Sequence, residues 1–309
     1  MDKSKNLRKQ FADTMLGIGK KDKKLIVMVS DISHGILQTF NKSCKGQFYN
    51  VGICEQAIIN LAAGMKKVGL YPVVHTIAPF MIERCYEQIK LDFGYQKVGV
   101  NLISVGGTYD YSKLGSTHHC YTDFSLLNHL PNCKIFVPGS AKEFDVMFKN
   151  NYKNNFINYY RLTEFPHDVE INYSKKILGK AIKINNGSKL TIIAIGPKLG
   201  VAQSVTRKLM KMKISVDLIY YNCIKPFDQI TFLKSVRKTK KFFLIEEFSS
   251  EGGFYGELLK LLKKNRDIVS DYIGVKPFIH SYGSKNDLDN VSGLNEKNII
   301  FKIKKLLDI

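Results

Sequence analysis

Residues 51–74 read VGICEQAIINLAAGMKKVGLYPVV, and this stretch decides the fold. Ile58, Leu61, Ala62, Met65 and Val68 recur at intervals of three and four, so a helix over 55–69 should bury one face. Glu55 opens that helix, where the helix dipole favours a carboxylate. Directly after it comes a short Val-rich run at 73–77. A helix returning at once to such a strand is the repeating unit of a parallel sheet covered by helices.

The same alternation extends to both sides. Strands are predicted at 25–30, 99–105 and 134–137, and helices at 5–19, 79–93 and 141–150. From 163 to 189 the pattern degrades into polar residues with a turn at Asn185-Asn186-Gly187, read as a connection carrying a short strand pair. A second set follows, with strands at 190–195, 215–220 and 241–246 and helices at 201–212, 227–236 and 253–264. The expected fold class is α/β, with two domains, each a mainly parallel sheet flanked by helices. Their expected limits are 1–165 and 189–309, with a linker at 166–188.

Composition narrows the class of function. The chain has 309 residues, 44 % of them hydrophobic, enough for two cores of ordinary domain size. Six cysteines are spread along it without C-x-x-C or zinc spacing, so buried or incidental thiols in a reducing cytosol are expected. The basic start MDKSKNLRKQF is not followed by the apolar core of an export signal, which makes a cytoplasmic location the expectation. No run of about 18 apolar residues occurs, and no membrane role is expected. A formal charge of +20 is read as a lysine-rich surface, because no nucleic-acid-binding motif accompanies it.

The signatures of serine hydrolases, P-loop proteins, zinc proteases and Rossmann dehydrogenases are absent. Two passages are left over. One runs from Val51-Gly52-Ile53-Cys54-Glu55-Gln56 to Phe80, Arg84, Tyr86, Glu87 and Gln88. The other is Leu114-Gly115-Ser116-Thr117-His118-His119, then Asp123 and Leu130-Pro131-Asn132. Singly, Glu55 reads as a helix-start carboxylate and the paired histidines as loop residues. In this order and spacing they resemble the pyrimidine-binding domain of the transketolase family. Thr191 to Gly196, Ile224-Lys225-Pro226-Phe227-Asp228, Glu246-Glu247 and Gly252-Gly253 are similar to the transketolase C-terminal domain.

The resemblance implies thiamine diphosphate as cofactor and a two-carbon ketol transfer from a ketose donor to an aldose-type acceptor. It assigns Glu55 as the catalytic glutamate against the aminopyrimidine ring. Phe80, Ile77, Arg84 and Asp31 fall at the cofactor, His118 at the reacting carbonyl and substrate hydroxyls, and Arg161 at the substrate. The G-D-G motif that holds diphosphate and metal in full-length transketolases is missing. The implied partner is therefore an N-terminal subunit carrying G-D-G and holding Mg2+ or Ca2+, in an α2β2 assembly acting on small sugars, with no metal site in this chain.

Departures from the family pattern fall mainly on the substrate side. Ile77 stands where an aromatic residue is usual, Leu114 replaces an aspartate, and Thr108 to Lys113 replace a glycine-rich segment. Glu164 occupies the place of a phosphate-binding arginine, where a carboxylate would repel phosphate. A modified or unphosphorylated sugar from a specialised biosynthetic pathway is the acceptor these changes suggest. Two alternatives stay open, a 2-oxoacid dehydrogenase beta subunit and a non-catalytic paralogue of the same fold.

Overall fold

The computed structural model describes residues 6–173, 179–263, 265 and 267–309. Residues 1–5 of the basic start, 174–178 of the expected linker and position 264 at the end of the helix expected at 253–264 lie outside the described residues.

The first half builds α1 (Leu7–Gly19), β1 (Leu25–Val29), α2 (Gln38–Ser43), β2 (Phe48–Asn50), α3 (Glu55–Lys67), β3 (Tyr71–Ile77) and α4 (Tyr86–Gln88). It continues with β4 (Val100–Val105), α5 (Asp123–Asn128), β5 (Cys133–Phe136), α6 (Ala141–Asn151) and β6 (Ile157–Arg161). Asn6 starts α1 as an N-cap, its Oδ1 accepting from the amides of Arg8 and Lys9. The helix expected at 79–93 is α4 set between two π-helical turns, Pro79–Glu83 and Ile89–Tyr95. Such wide turns favour functional positions, and Phe80 sits in the first.

The second half builds β7 (Ile182–Asn185), β8 (Leu190–Ile195), α7 (Leu199–Lys211), β9 (Val216–Tyr221), β10 (Cys223–Lys225), α8 (Gln229–Thr239) and β11 (Lys241–Ser249). Then come α9 (Phe254–Leu261), β12 (Val269–Val275), α10 (Lys285–Val291) and α11 (Glu296–Leu307). The expected strand pair in the connection does not form among the described residues. Only β7 lies there, and it pairs antiparallel with β9.

Two mainly parallel sheets result, as the sequence pattern required. One is ordered β10-β5-β6-β4-β3-β1-β2 and the other β12-β11-β8-β9-β7. The antiparallel exceptions are the edge strands β10 and β7. β10 comes from the second half of the chain yet completes the first sheet. Its Cys223 faces Phe136 in the register with β5.

Between the sheets one apolar layer is continuous. Ile58 and Ala62 of α3, Phe124 of α5, Phe248 of β11 and Phe254 of α9 belong to one buried cluster, with Phe124 at 5.2 Å from Phe248 and 5.8 Å from Phe254. Helix α3 departs from its expected face. Ile58, Ile59, Ala62 and Ala63 are buried, whereas Leu61 is 48 % and Val68 76 % exposed. The helix carries apolar residues on more of its circumference than this chain covers.

Candidate functional site

The strand order reverses beside β1, since the chain runs outward from β1 to β2 and then returns to β3 on the other flank. Ligands of open α/β sheets bind beyond the carboxyl ends of the strands at such a point. The residues singled out from sequence lie there. Asp31 follows β1, Glu55 follows β2, Ile77 ends β3, Phe80 and Arg84 come just after it, and His118 lies on the loop after β4.

Glu55 is only 2 % exposed. Arg84 Nη1 donates to its Oε2 at 2.7 Å, and no described residue donates to Oε1. The Arg84 guanidinium lies 4.3 Å from the centre of the Phe80 ring, a cation–π contact. Phe80 in turn meets the His118 imidazole edge-to-face at 5.1 Å. Four residues from three stretches of the sequence thus form one contiguous row: carboxylate, guanidinium, aromatic ring, imidazole. Burial, and then the charge of Arg84, lower the pKa of His118, which favours the neutral imidazole. Its Nδ1 shares a hydrogen bond of 2.9 Å with Thr117 Oγ1.

Asp31 sits at the rim with a left-handed backbone, φ 60°. Its carboxylate accepts from Asn50 Nδ2 at 3.2 Å, while Asn50 Oδ1 accepts from the amides of Asp31 and Gly52 at 3.0 and 3.1 Å. Asp31 is thereby tied to the turn that delivers Glu55. Ile77 is half-buried at the end of β3.

Two expectations change. Arg161, expected at the substrate, is 2 % exposed and fully engaged inside the chain. Its Nε donates to Asp123 Oδ2 at 2.7 Å and its Nη2 to Thr108 Oγ1 and the Cys120 carbonyl at 2.5 and 3.2 Å. Glu247 Oε2 lies 3.6 Å from Nη1. Arg161 therefore positions the His118 loop, whose ends Thr108 and Cys120 also pair with each other. Glu164, expected to present a bare negative charge, is matched by Arg8, whose Nη1 donates to it at 3.2 Å. Arg8 also donates to Ser33 Oγ, which bonds His75 Nε2 at 2.9 Å. Burial lowers the His75 pKa to about 4, and its Nδ1 donates to the Ile103 carbonyl.

Sequence reasoning missed Arg8, Asp110 and Tyr111. The Tyr111 ring meets His118 at 6.4 Å, and its buried hydroxyl has no hydrogen-bond partner among the described residues. Burial pushes that hydroxyl's pKa up to about 12. Gly106 makes room for the ring, because a Cβ there would lie 2.2 Å from a Tyr111 ring carbon. Asp110 accepts from Thr163 Oγ1 and the Glu164 amide, and burial raises its pKa. The signal for Asp110 and Tyr111 in the sequence is that the segment 108–113 departs from its family, and Arg8 carries none.

Across the seam to the second sheet, Glu247 accepts from Lys198 and Lys285 at 2.8 and 2.9 Å. Among the described residues no three His, Cys, Asp or Glu come together in a way that could hold a metal ion. No described helix is long and apolar enough to cross a membrane.

Comparison with known proteins places this geometry. Residues 3–162 match the family described as transketolase, pyrimidine binding domain, and residues 179–299 match transketolase, C-terminal domain. A 1-deoxy-D-xylulose-5-phosphate synthase of Halothermothrix orenii is 30 % identical over 96 % of this chain and 48 % of its own length, so the chain spans about half of that relative. One of the apulose-4-phosphate transketolase subunits of Phocaeicola vulgatus is 28 % identical over 94 % of both chains. A solved structure described as a split gene transketolase, inactive beta4 tetramer, superposes with TM-score 0.86 at 24 % identity over 99 % of each chain, a likeness of fold.

Proposed function

The chain belongs to the transketolase family, and from that premise we propose that it is one subunit of a two-chain, thiamine-diphosphate-dependent enzyme that transfers a two-carbon ketol unit from a ketose to an aldose-type acceptor. The observation that carries this reading is the buried Glu55 carboxylate, with one free oxygen, set beside Phe80 and His118 at the reversal of the first sheet. The similarity of the whole chain to a single subunit of the apulose-4-phosphate transketolase supports the division into two chains.

The residues present fit the aminopyrimidine half of the cofactor. Glu55 Oε1 is open to a ring nitrogen, and Phe80 and Ile77 offer one aromatic and one aliphatic surface to a flat ring. Arg84 would have to share the Phe80 face, which its 40 % exposed side chain permits. Asp31 would stand at the rim of the same site. When bound, thiamine diphosphate supplies the nucleophilic carbon that carries the ketol unit. Glu55 holds the proton shared with the pyrimidine nitrogen. His118 hydrogen-bonds the hydroxyls beside the reacting carbonyl, and Arg161 keeps the loop of His118 in place. Over a turnover one carbon–carbon bond of the donor breaks, releasing an aldose two carbons shorter. One forms to the acceptor aldehyde carbon, whose oxygen takes up a proton.

Diphosphate and Mg2+ or Ca2+ would be held by a partner carrying G-D-G, in a cytoplasmic α2β2 assembly, with the working domains at 1–165 and 189–309. The test is reconstitution. This chain, the partner, thiamine diphosphate and Mg2+ should together give ketol transfer that neither chain gives alone. Full activity from this chain by itself, or thiamine diphosphate binding to the pair that is indifferent to Glu55→Ala, would overturn the proposal.

A further inference from the structure

Behind the row of site residues lies a cavity of about 370 Å³ whose wall includes Tyr111, Lys113, Leu114, Phe165 and Lys285. That volume falls in the usual range of about 300–1,000 Å³ for small-molecule sites. The cavity is joined to the chemistry through one side chain, since Tyr111 lines it and also meets the His118 ring at 6.4 Å. A substrate whose carbonyl lay at His118 would extend its far end past Tyr111 into this space.

The character of the wall is unusual for a sugar site. Leu114 and Phe165 present large apolar side chains that are 54 % and 49 % exposed, with Lys285 Nζ 5.6 Å from the centre of the Phe165 ring. The nearby cations are mostly spoken for. Lys285 is held by Glu247 and Asp289, and Arg8 by Glu164 and Ser33. Lys113 remains, exposed at the rim. Asp110 also lines the cavity, its carboxyl oxygens engaged by Thr163 Oγ1 and the Glu164 amide.

We infer that this cavity is the acceptor-side subsite, and that it selects an aldose whose far end is deoxygenated and uncharged over one ending in a phosphate ester. Leu114 and Phe165 receive the apolar end. The inference rests on the ketol-transfer reading and adds the substrate class.

The experiment uses this chain reconstituted with its partner, hydroxypyruvate as donor, and three acceptors that differ only at C5: 5-deoxyribose, ribose and ribose 5-phosphate. Donor consumption is measured separately with ferricyanide in place of an acceptor. The expected result is a kcat/KM for 5-deoxyribose roughly tenfold or more above the other two, the size of discrimination an apolar pocket gives for a small group. Leu114→Asp should lower the 5-deoxyribose value about tenfold and the ribose value far less, with the melting temperature unchanged. Preference for ribose 5-phosphate, abolished by Lys113→Ala, would overturn the inference. So would an equal effect of Leu114→Asp on all three acceptors, or donor consumption with none of them used. If hydroxypyruvate is not consumed even with ferricyanide, the ketol-transfer reading itself fails and the subsite with it.

Discussion

Replacing Arg161 with methionine keeps the apolar stem and removes the guanidinium that binds the His118 loop to the rest of the molecule. Arg161 and Asp123 are 2 % and 0 % exposed, and their ion pair closes at 2.7 Å. Breaking a buried pair by removing one partner costs about 3–5 kcal/mol, because the remaining charge has no solvent. Tyr159 still donates to Asp123 Oδ2, but a neutral hydroxyl cannot balance the carboxylate. Glu247 is less affected, since Lys198 and Lys285 hold its other oxygen. The expected loss for Arg161→Met is therefore about 3 kcal/mol, a large part of a typical stability of about 5–15 kcal/mol. With a urea slope near 3 kcal/mol/M, the midpoint followed by far-UV circular dichroism should fall by about 1 M. The double variant Arg161→Met with Asp123→Leu leaves no stranded charge and should recover most of that loss. The reasoning is refuted if the single variant loses less than about 1 kcal/mol, or if the double variant is no more stable than the single one.

Other consequences are as specific. Glu55→Gln should lower ketol transfer by the reconstituted pair at least about 100-fold with an unchanged circular dichroism spectrum, and activity above a tenth of the parent would remove Glu55 from its role. Burial raises the Glu246 pKa from 4.5 to about 8. The folded state then binds more protons than the unfolded one between those values, so stability from this group is full below pH 4.5 and lost as pH rises through 8. Glu246→Gln should flatten that slope in urea titrations across pH 5–8.5, and an unaltered slope would assign it elsewhere. At Gly139 a Cβ would lie 2.4 Å from the buried His167 ring, so Gly139→Ala should cost about 1–3 kcal/mol by overpacking, read as a lowered melting temperature.

Much of this architecture was legible because it is local. The run 55–77 declared a helix followed by a strand, and its repetition declared two sheets. What stayed hidden depends on distant partners. Strand β6 is buried along its length although it reads INYYR, because three of its four polar side chains are met elsewhere: Asn158 by Asn101, Tyr159 by Ser104 and Asp123, and Arg161 by Asp123, while the Tyr160 ring stacks on Phe136. No short window shows those pairings. Glu55, Phe80, Arg84 and His118 were found through an ordered motif and do converge, whereas Arg8 reaches Glu164 across 156 positions and carries no local mark. The exposed Leu61 and Val68 show a further limit. Periodicity reports that a helix has an apolar face, and not whether its own chain covers that face.

The crossing of β10 into the first sheet bears on how this gene can be cut. The two halves interlock as well as touch, since Cys223 and Lys225 pair with Phe136 and Ile135. Lys225 Nζ also donates to the carbonyls of Asn128 and Leu130. A fragment ending near residue 165 would leave the free edge of β5 as a template for any passing strand. Loss of solubility in such a fragment would therefore report an uncapped edge and say nothing of the chemistry. The same stitch ties the two sheets together, so an exchange of either domain of this chain needs a junction that carries β10 along with the first sheet.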